Sequence, residues 1–199
     1  MRRIIRFAMP LALLAISASS FAGDQTVYAT EKGKRYHVKN CRMKSGSKAI
    51  KLSEAKKKGY MFAMPAEKSG QEEFDFEYGD EFSSHIEEFD PTFLKVLVRY
   101  NPESDEVLNK RQLQRLKILS DYLLKTKRPF LFELIVPATP TQLAKLGGSK
   151  EVYDTQLRPE LMVESIKQIQ DAGVEPAIWK LEGVEKPESA KAVVKQAQS

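Results

Sequence analysis

The stretch Phe93-Leu-Lys-Val-Leu-Val-Arg-Tyr-Asn-Pro102 decides the fold. Side chains alternate along a strand, so Leu94, Val96 and Val98 share one face while Lys95, Leu97 and Arg99 share the other. Neither face is wholly polar, and the run closes on Tyr100-Asn101-Pro102 before a helical pattern begins. It reads as a strand of a parallel α/β sheet, buried on both faces. A lysine inside such a strand is costly unless something pairs with it. Two later stretches carry the same anomaly: Glu133 in Pro129-Phe-Leu-Phe-Glu-Leu-Ile-Val-Pro137, and Lys180 in Pro176-Ala-Ile-Trp-Lys-Leu-Glu182. Three ionisable groups expected to be buried on neighbouring strands point to one site.

Strands and helices alternate on either side of this stretch, the pattern of a parallel sheet. A strand is expected at 62–67 with a turn at Lys68-Ser-Gly70, then a helix at 80–88. After the Phe93 strand, residues 106–125 carry Leu113, Leu116, Leu119 and Leu123 at helical spacing, a core-facing stripe. A strand at 130–136 leads to a short helix opened by Thr139-Pro140 and ended by Gly147-Gly148. Pro159 opens the next helix, with Met162, Ile166 and Ile169 toward the sheet and Gly173 as its stop. A strand at 177–182 and a helix at 187–196 complete four βα units.

The N-terminal part differs in character. Residues 1–22 combine a basic start, an apolar run over 7–18 and the ending Ser20-Phe-Ala22, the layout of a secretory signal peptide cleaved after Ala22. This predicts a secreted or periplasmic protein. The following stretch reads as a hairpin turning at Lys32-Gly33, with His37 and Cys41 close together after it. Ser53 is a candidate N-cap for a helix over 54–58, closed by Gly59. The expected organisation is a signal peptide at 1–22, a small segment at 23–60 and an α/β domain at 61–199.

Composition narrows the function classes. Charged residues make up 30% and hydrophobic ones 42%, ordinary for a globular protein. The formal charge is +5, and losing Arg2, Arg3 and Arg6 with the leader lowers it by three, so no nucleic-acid partner is expected. Nothing after the leader is apolar enough to span a bilayer, so no membrane association is expected after its cleavage. Cys41 is the single cysteine, which excludes an intrachain disulfide. A structural zinc site takes four ligands, and His37 and Cys41 are the two on offer, so no metal is expected. No other cofactor is expected either.

Strand parity groups Lys95 with Arg99, Glu133 with Leu131 and Ile135, and Lys180 with Ile178 and Glu182. If these faces all turn inward, the three meet near the C-terminal ends of adjacent strands, where parallel barrels keep their chemistry. A lysine near another cation and partly desolvated becomes a nucleophile toward a carbonyl, and a neighbouring carboxylate can move the protons of imine formation. These three are the candidate catalytic residues. Glu67, Lys68 and Arg99 are the candidate substrate-binding ones. Arg99 and His85 also read as a solvated strand end and a helix surface residue.

Two resemblances extend this reading. Val27-Tyr28, Gly33-Lys34, Tyr36-His37, Cys41, Leu52-Ser-Glu-Ala-Lys56 and Gly59-Tyr60 resemble the Ada-like metal-binding module of secreted nucleases and DNA-uptake proteins. The module's later Cys-x-x-Cys pair is missing, since Met61-Phe-Ala-Met-Pro65 follows. Residues 60–185 closely resemble the domain of unknown function fused to the C-terminus of 5-dehydro-2-deoxygluconokinases of bacterial inositol catabolism. The matching motifs are Pro65-Ala-Glu-Lys-Ser-Gly-Gln-Glu-Glu-Phe-Asp-Phe-Glu-Tyr-Gly79, Phe89-Asp-Pro-Thr-Phe-Leu-Lys-Val-Leu-Val-Arg-Tyr-Asn-Pro102, Phe132-Glu-Leu-Ile-Val-Pro-Ala138, Asp171-Ala-Gly-Val-Glu-Pro176 and Trp179-Lys-Leu-Glu-Gly183. That domain is similar in turn to class I tagatose-1,6-bisphosphate aldolases, which are TIM barrels.

The resemblance implies Lys180 as the Schiff-base lysine, Glu133 as the catalytic glutamate and Lys95 as a second active-site lysine, acting on a keto-sugar phosphate. The match covers strands three to six, so the expectation is half a TIM barrel, weakly active or inactive, that a second copy of the chain would complete. A phosphate site after strands seven and eight has no counterpart. An export signal also sits poorly with a sugar-phosphate substrate. The alternative is a non-catalytic secreted binding or remnant protein on the same scaffold.

Overall fold

The computed structural model describes residues 26–29, 36–37 and 46–199. The leader at 1–22, the Lys32-Gly33 turn and Cys41 lie outside the described residues, and His37 is described by its backbone alone. The described chain forms two sheets. Strands β1 (Thr26–Ala29), β2 (Tyr36–His37) and β3 (Lys48–Lys51) make an antiparallel sheet in the order β2-β1-β3. The expected hairpin is thus joined by a third strand, which pairs Thr26 with Lys51 and Ala29 with Lys48. Val27 and Ala29 alternate with more exposed neighbours and are buried, so this sheet has one apolar side.

Helix α1 (Leu52–Lys57) leaves β3 without a break. It is not capped by Ser53: its N-cap is Lys51, whose extended backbone belongs to β3 and whose side chain makes no capping bond. Leu52 and Ala55 face inward and belong to the same buried core as the larger sheet. The pair of lysine and arginine on Asp90, Lys56 and Arg128, ties α1 to the base of that sheet.

The larger sheet is parallel, in the order β4-β5-β6-β7: β4 (Ala63–Pro65), β5 (Phe93–Arg99), β6 (Phe130–Ile135) and β7 (Ile178–Leu181). Its strands alternate with α2 (Phe82–Phe89), α3 (Glu106–Thr126), α4 (Pro140–Lys145), α5 (Lys150–Val152), α6 (Arg158–Asp171) and α7 (Pro187–Ala197). Local chemistry explains the helix ends. Asp105 accepts the Leu108 amide at 2.8 Å to start α3. Thr139 and Gln142 form a reciprocal capping box at α4, with Pro140 as its first residue. A five-residue π turn, Tyr153–Leu157, joins α5 to α6. Gly173 closes α6 with φ of +75°, where a Cβ would also run into Lys117.

β5 is buried on one face and not, as its sequence suggests, on both. Leu94, Val96 and Val98 are buried, as are Phe130, Phe132 and Leu134 on β6, but the opposite face is not. Leu116, Leu119 and Leu123 of α3 and Met162, Ile166 and Ile169 of α6 share the core with the first face. Lys95, Leu97, Leu131, Glu133 and Ile135 on the second face are half-buried, and Arg99 and Ile178 exposed. The sheet is therefore covered by helices on one side and open on the other. A run as apolar as 93–99 looks doubly buried because Leu97 sits between the two charged residues of the open face.

Candidate functional site

The open face carries a row of alternating charges that runs from Glu67, two residues past the end of β4, across β5, β6 and β7. Register puts Leu97 beside Glu133 and Glu133 beside Lys180, and the pleat points their side chains the same way. Lys95, one rung earlier on β5, reaches Glu67 Oε1 at 2.9 Å and Glu133 Oε2 at 3.2 Å. The Lys180 ammonium donates to Glu133 Oε1. The row thus reads Glu67, Lys95, Glu133, Lys180, with one carboxylate held between two lysines. Parity in the sequence anticipates this meeting.

Burial along the row is uneven, and this corrects the expectation of three buried charges. The side chains of Glu67, Lys95 and Glu133 are 13%, 23% and 17% exposed, whereas Lys180 is 61% exposed. β7 has one strand neighbour among the described residues, so no strand among them flanks Lys180 on its outer side. Its partner is Glu133 rather than an apolar pocket.

The two carboxylates have been pushed in opposite directions. Burial raises the Glu67 carboxyl above its ordinary range, against the opposing hydrogen bond and charge of Lys95. Burial would raise Glu133 too, but the hydrogen bonds from Lys180 and Lys95 and their charges outweigh it, so Glu133 lies below the ordinary range. Glu67 Oε2 is buried with no hydrogen-bond partner among the described residues, which fits a group that ionises reluctantly. A carboxyl held above its ordinary range beside one held below it is the kind of separation that sets an acid apart from a base.

The remaining candidates lie beside this row. Past Pro65, the chain at Ala66 and Lys68 pairs back on Asp75 and Glu77, through Lys68 N–H to Asp75 O at 3.0 Å and Glu77 N–H to Ala66 O at 2.9 Å. Lys68 also pairs with the Asp75 carboxylate at 2.7 Å. Arg99 is exposed at the end of β5 and donates to Gln71 O at 3.1 Å. His85 stacks on Tyr78 with ring centroids 3.7 Å apart, away from the row.

Sequence reading misses the group that anchors this corner. Gln112 of α3 is fully buried, accepts the Phe74 N–H at 2.8 Å and donates to Arg99 O at 3.2 Å. Arg111 grips Glu73 with two bonds, and Arg115 adds one to Glu73 and one to Phe74 O. The signal available was a glutamine four residues before Leu116, on the buried stripe of α3, where an apolar residue is expected. Its partners lie too far away in sequence to be read.

Among the described residues, no group of three or more His, Cys, Asp and Glu side chains could hold a metal ion, and no helix is long and apolar enough to cross a membrane. The fold and site define a mixed α/β protein with a lysine–carboxylate row on the open face of a parallel sheet. The chain belongs to the family described as an uncharacterized protein conserved in bacteria, DUF2090, whose model matches residues 24–198. No curated protein matches the sequence.

Proposed function

We propose that the protein is a Schiff-base, class I aldolase-like domain for a keto-sugar phosphate, built on half of a (β/α) barrel. In this reading its relatives include the domain fused to 5-dehydro-2-deoxygluconokinases. The observation that carries it is Glu133 bracketed by Lys95 and Lys180 on the open face of the sheet. The Lys180 ammonium gives a proton to the Glu133 carboxylate, and the free amine adds to the keto carbon. A proton passes from nitrogen to the former carbonyl oxygen, giving a carbinolamine. Glu133 then protonates that hydroxyl, which leaves as water while the nitrogen lone pair completes the C=N bond. The iminium keeps the single positive charge the lysine began with. It can then draw electrons from the carbon–carbon bond to be broken. Residues 1–22 act, in this reading, as a removed export signal.

Imine formation needs the local group alone, whereas turnover needs an enclosed, water-poor cavity. Lys180 is open to solvent, so the expected result is borohydride trapping with dihydroxyacetone phosphate and little aldol cleavage. Peptide mapping is expected to find the label on Lys180, and Lys180→Ala to remove it. Label spread over surface lysines and unchanged by that substitution would sink the proposal. It would favour the second reading, a non-catalytic binding protein, which the exposure of Lys180 and its ion pair with Glu133 support.

A second copy of the chain is the proposed source of an enclosed cavity, seated against the outer flank of β7 and the open face. The half-buried Leu97, Leu131 and Ile135 and the exposed Ile178 give it an apolar surface to cover. Sedimentation of the full chain is expected to give a dimer or larger. A well-behaved monomer at high concentration would remove this part of the reading.

A further inference from the structure

We infer that the cleft beside Lys95 is a subsite for a small oxyanion, a carboxylate or a phosphate, gripped by Arg99. The cleft encloses about 240 Å³ at the carboxyl ends of β4 and β5, and its walls include Glu67, Lys68, Gly70, Gln71, Lys95 and Arg99. Parallel α/β sheets bind their ligands at this end of the strands.

Two of the charges that line the cleft, Arg99 and Glu72, make no ion pair among the described residues, and Arg99 is the cation of the two. Lys68 is paired with Asp75, and Lys95 with Glu67 and Glu133. The acidic Glu73 is taken by Arg111 and Arg115 from outside. Arg99 has no carboxylate within ion-pair distance among the described residues, and its one hydrogen bond goes to the Gln71 carbonyl. A guanidinium carries five N–H donors in a rigid fork, so most of them remain for a ligand. Two parallel N–H bonds to a carboxylate or phosphate are the contact that fork is shaped for.

The cleft is also built before any ligand arrives. Gln112 holds both its walls, through Phe74 N–H on the loop and Arg99 O on the strand, and the Arg111 and Arg115 bonds to Glu73 brace the loop from behind. Binding then costs little ordering of the backbone. Lys95 and Arg99 lie four residues apart on the same face of β5, which spaces their Cα atoms by about 13 Å. A short-chain keto compound with a terminal oxyanion can lie along that line, its anion on Arg99 and its carbonyl toward the lysine row. The role as a substrate subsite rests on the function proposed above; the oxyanion site itself does not.

The test uses the full chain and inorganic phosphate, acetate and chloride at one ionic strength, followed by amide NMR. Saturable shifts at Gly70, Gln71 and Arg99 with phosphate or acetate, absent with chloride, are expected. The anion that saturates at lower concentration identifies the ligand group. Arg99→Gln is expected to weaken binding about tenfold or more, Arg99→Lys less, and Lys180→Ala not at all. Shifts that rise without saturating, or saturable shifts unchanged in Arg99→Gln, would overturn the inference. In borohydride trapping, dihydroxyacetone phosphate should label the protein at lower concentration than uncharged dihydroxyacetone, and Arg99→Gln should abolish that difference. If Lys180 never traps, the proposed chemistry fails while the anion titration still decides the subsite.

Discussion

Phe132→Ala is expected to lower the free energy of unfolding by about 3–5 kcal/mol, the range for deleting a large buried ring. Phe132 is fully buried at the centre of β6, with its ring 5.7 Å from Phe130 and 5.0 Å from Trp179, centre to centre. The rings it touches, Phe130 and Trp179, sit on strands and cannot collapse into the void without breaking the ladder, so the cavity term adds to the lost transfer term. Domains of this kind are stable by about 5–15 kcal/mol in total, so the variant should unfold at much lower urea concentration. Trp179 is the only tryptophan, and its fluorescence reports the transition. A loss below about 1 kcal/mol would mean that the covered face of the sheet is loosely packed. Leu97→Ala, on the half-buried open face, is expected to cost less.

Alkaline pH is expected to destabilise the protein through two buried tyrosines. Tyr100 donates its hydroxyl to Gln168 Oε1 at 2.6 Å, and Tyr153 donates to Val136 O at 2.9 Å. Burial, helped by Glu164 near Tyr100 and Glu182 near Tyr153, pushes both phenols up to about 12 from an ordinary 10.0. A raised pKa means that the folded state holds the proton more tightly. Each tyrosine therefore contributes stability that is fully present below pH 10.0 and is lost as pH rises through about 12. Each is worth on the order of 3 kcal/mol across that window, since both side chains are nearly inaccessible to solvent. Urea midpoints measured across the window should fall steeply, and Tyr100→Phe with Tyr153→Phe should flatten the decline. An unchanged slope in the double variant would contradict this.

The acid side behaves differently because the site carboxylates oppose each other. Glu133, held below its ordinary range, contributes stability above the unfolded pKa that is lost as pH falls through its depressed value. Glu67, held above its ordinary range, contributes stability at low pH that is lost as pH rises through its raised value. Removing either partner of Lys95 should therefore tilt the acid limb in opposite directions.

The sequence by itself determined the order of the four βα units and the parity of their strands. The 3.6-residue stripe of α3 and the turn chemistry around α4 and α6 are local features, set by residues within one turn of each other. Strand parity is equally local, which is why the residues that share a face with Lys95, Glu133 and Lys180 within each strand could be read from the sequence, while the register of the strands put the three on one face of the sheet. Tertiary structure decided what lay on that face. The apolar Leu97 and Ile135 carry no mark saying whether a helix covers them, so β5 and β6 looked doubly buried when one face is open. Exposure of Lys180 follows from its place on the last strand of the sheet, a property of strand order rather than of Trp179-Lys-Leu-Glu182. β3 escaped notice because its residues are mostly exposed and show no alternation, its strand state being imposed by pairing with β1. Gln112 reads as a misplaced polar residue until folding brings Phe74, 38 residues away in the chain, to its carbonyl. Long-range hydrogen bonds of this kind leave no periodic signal, because the groups that satisfy a buried amide are chosen by proximity in space.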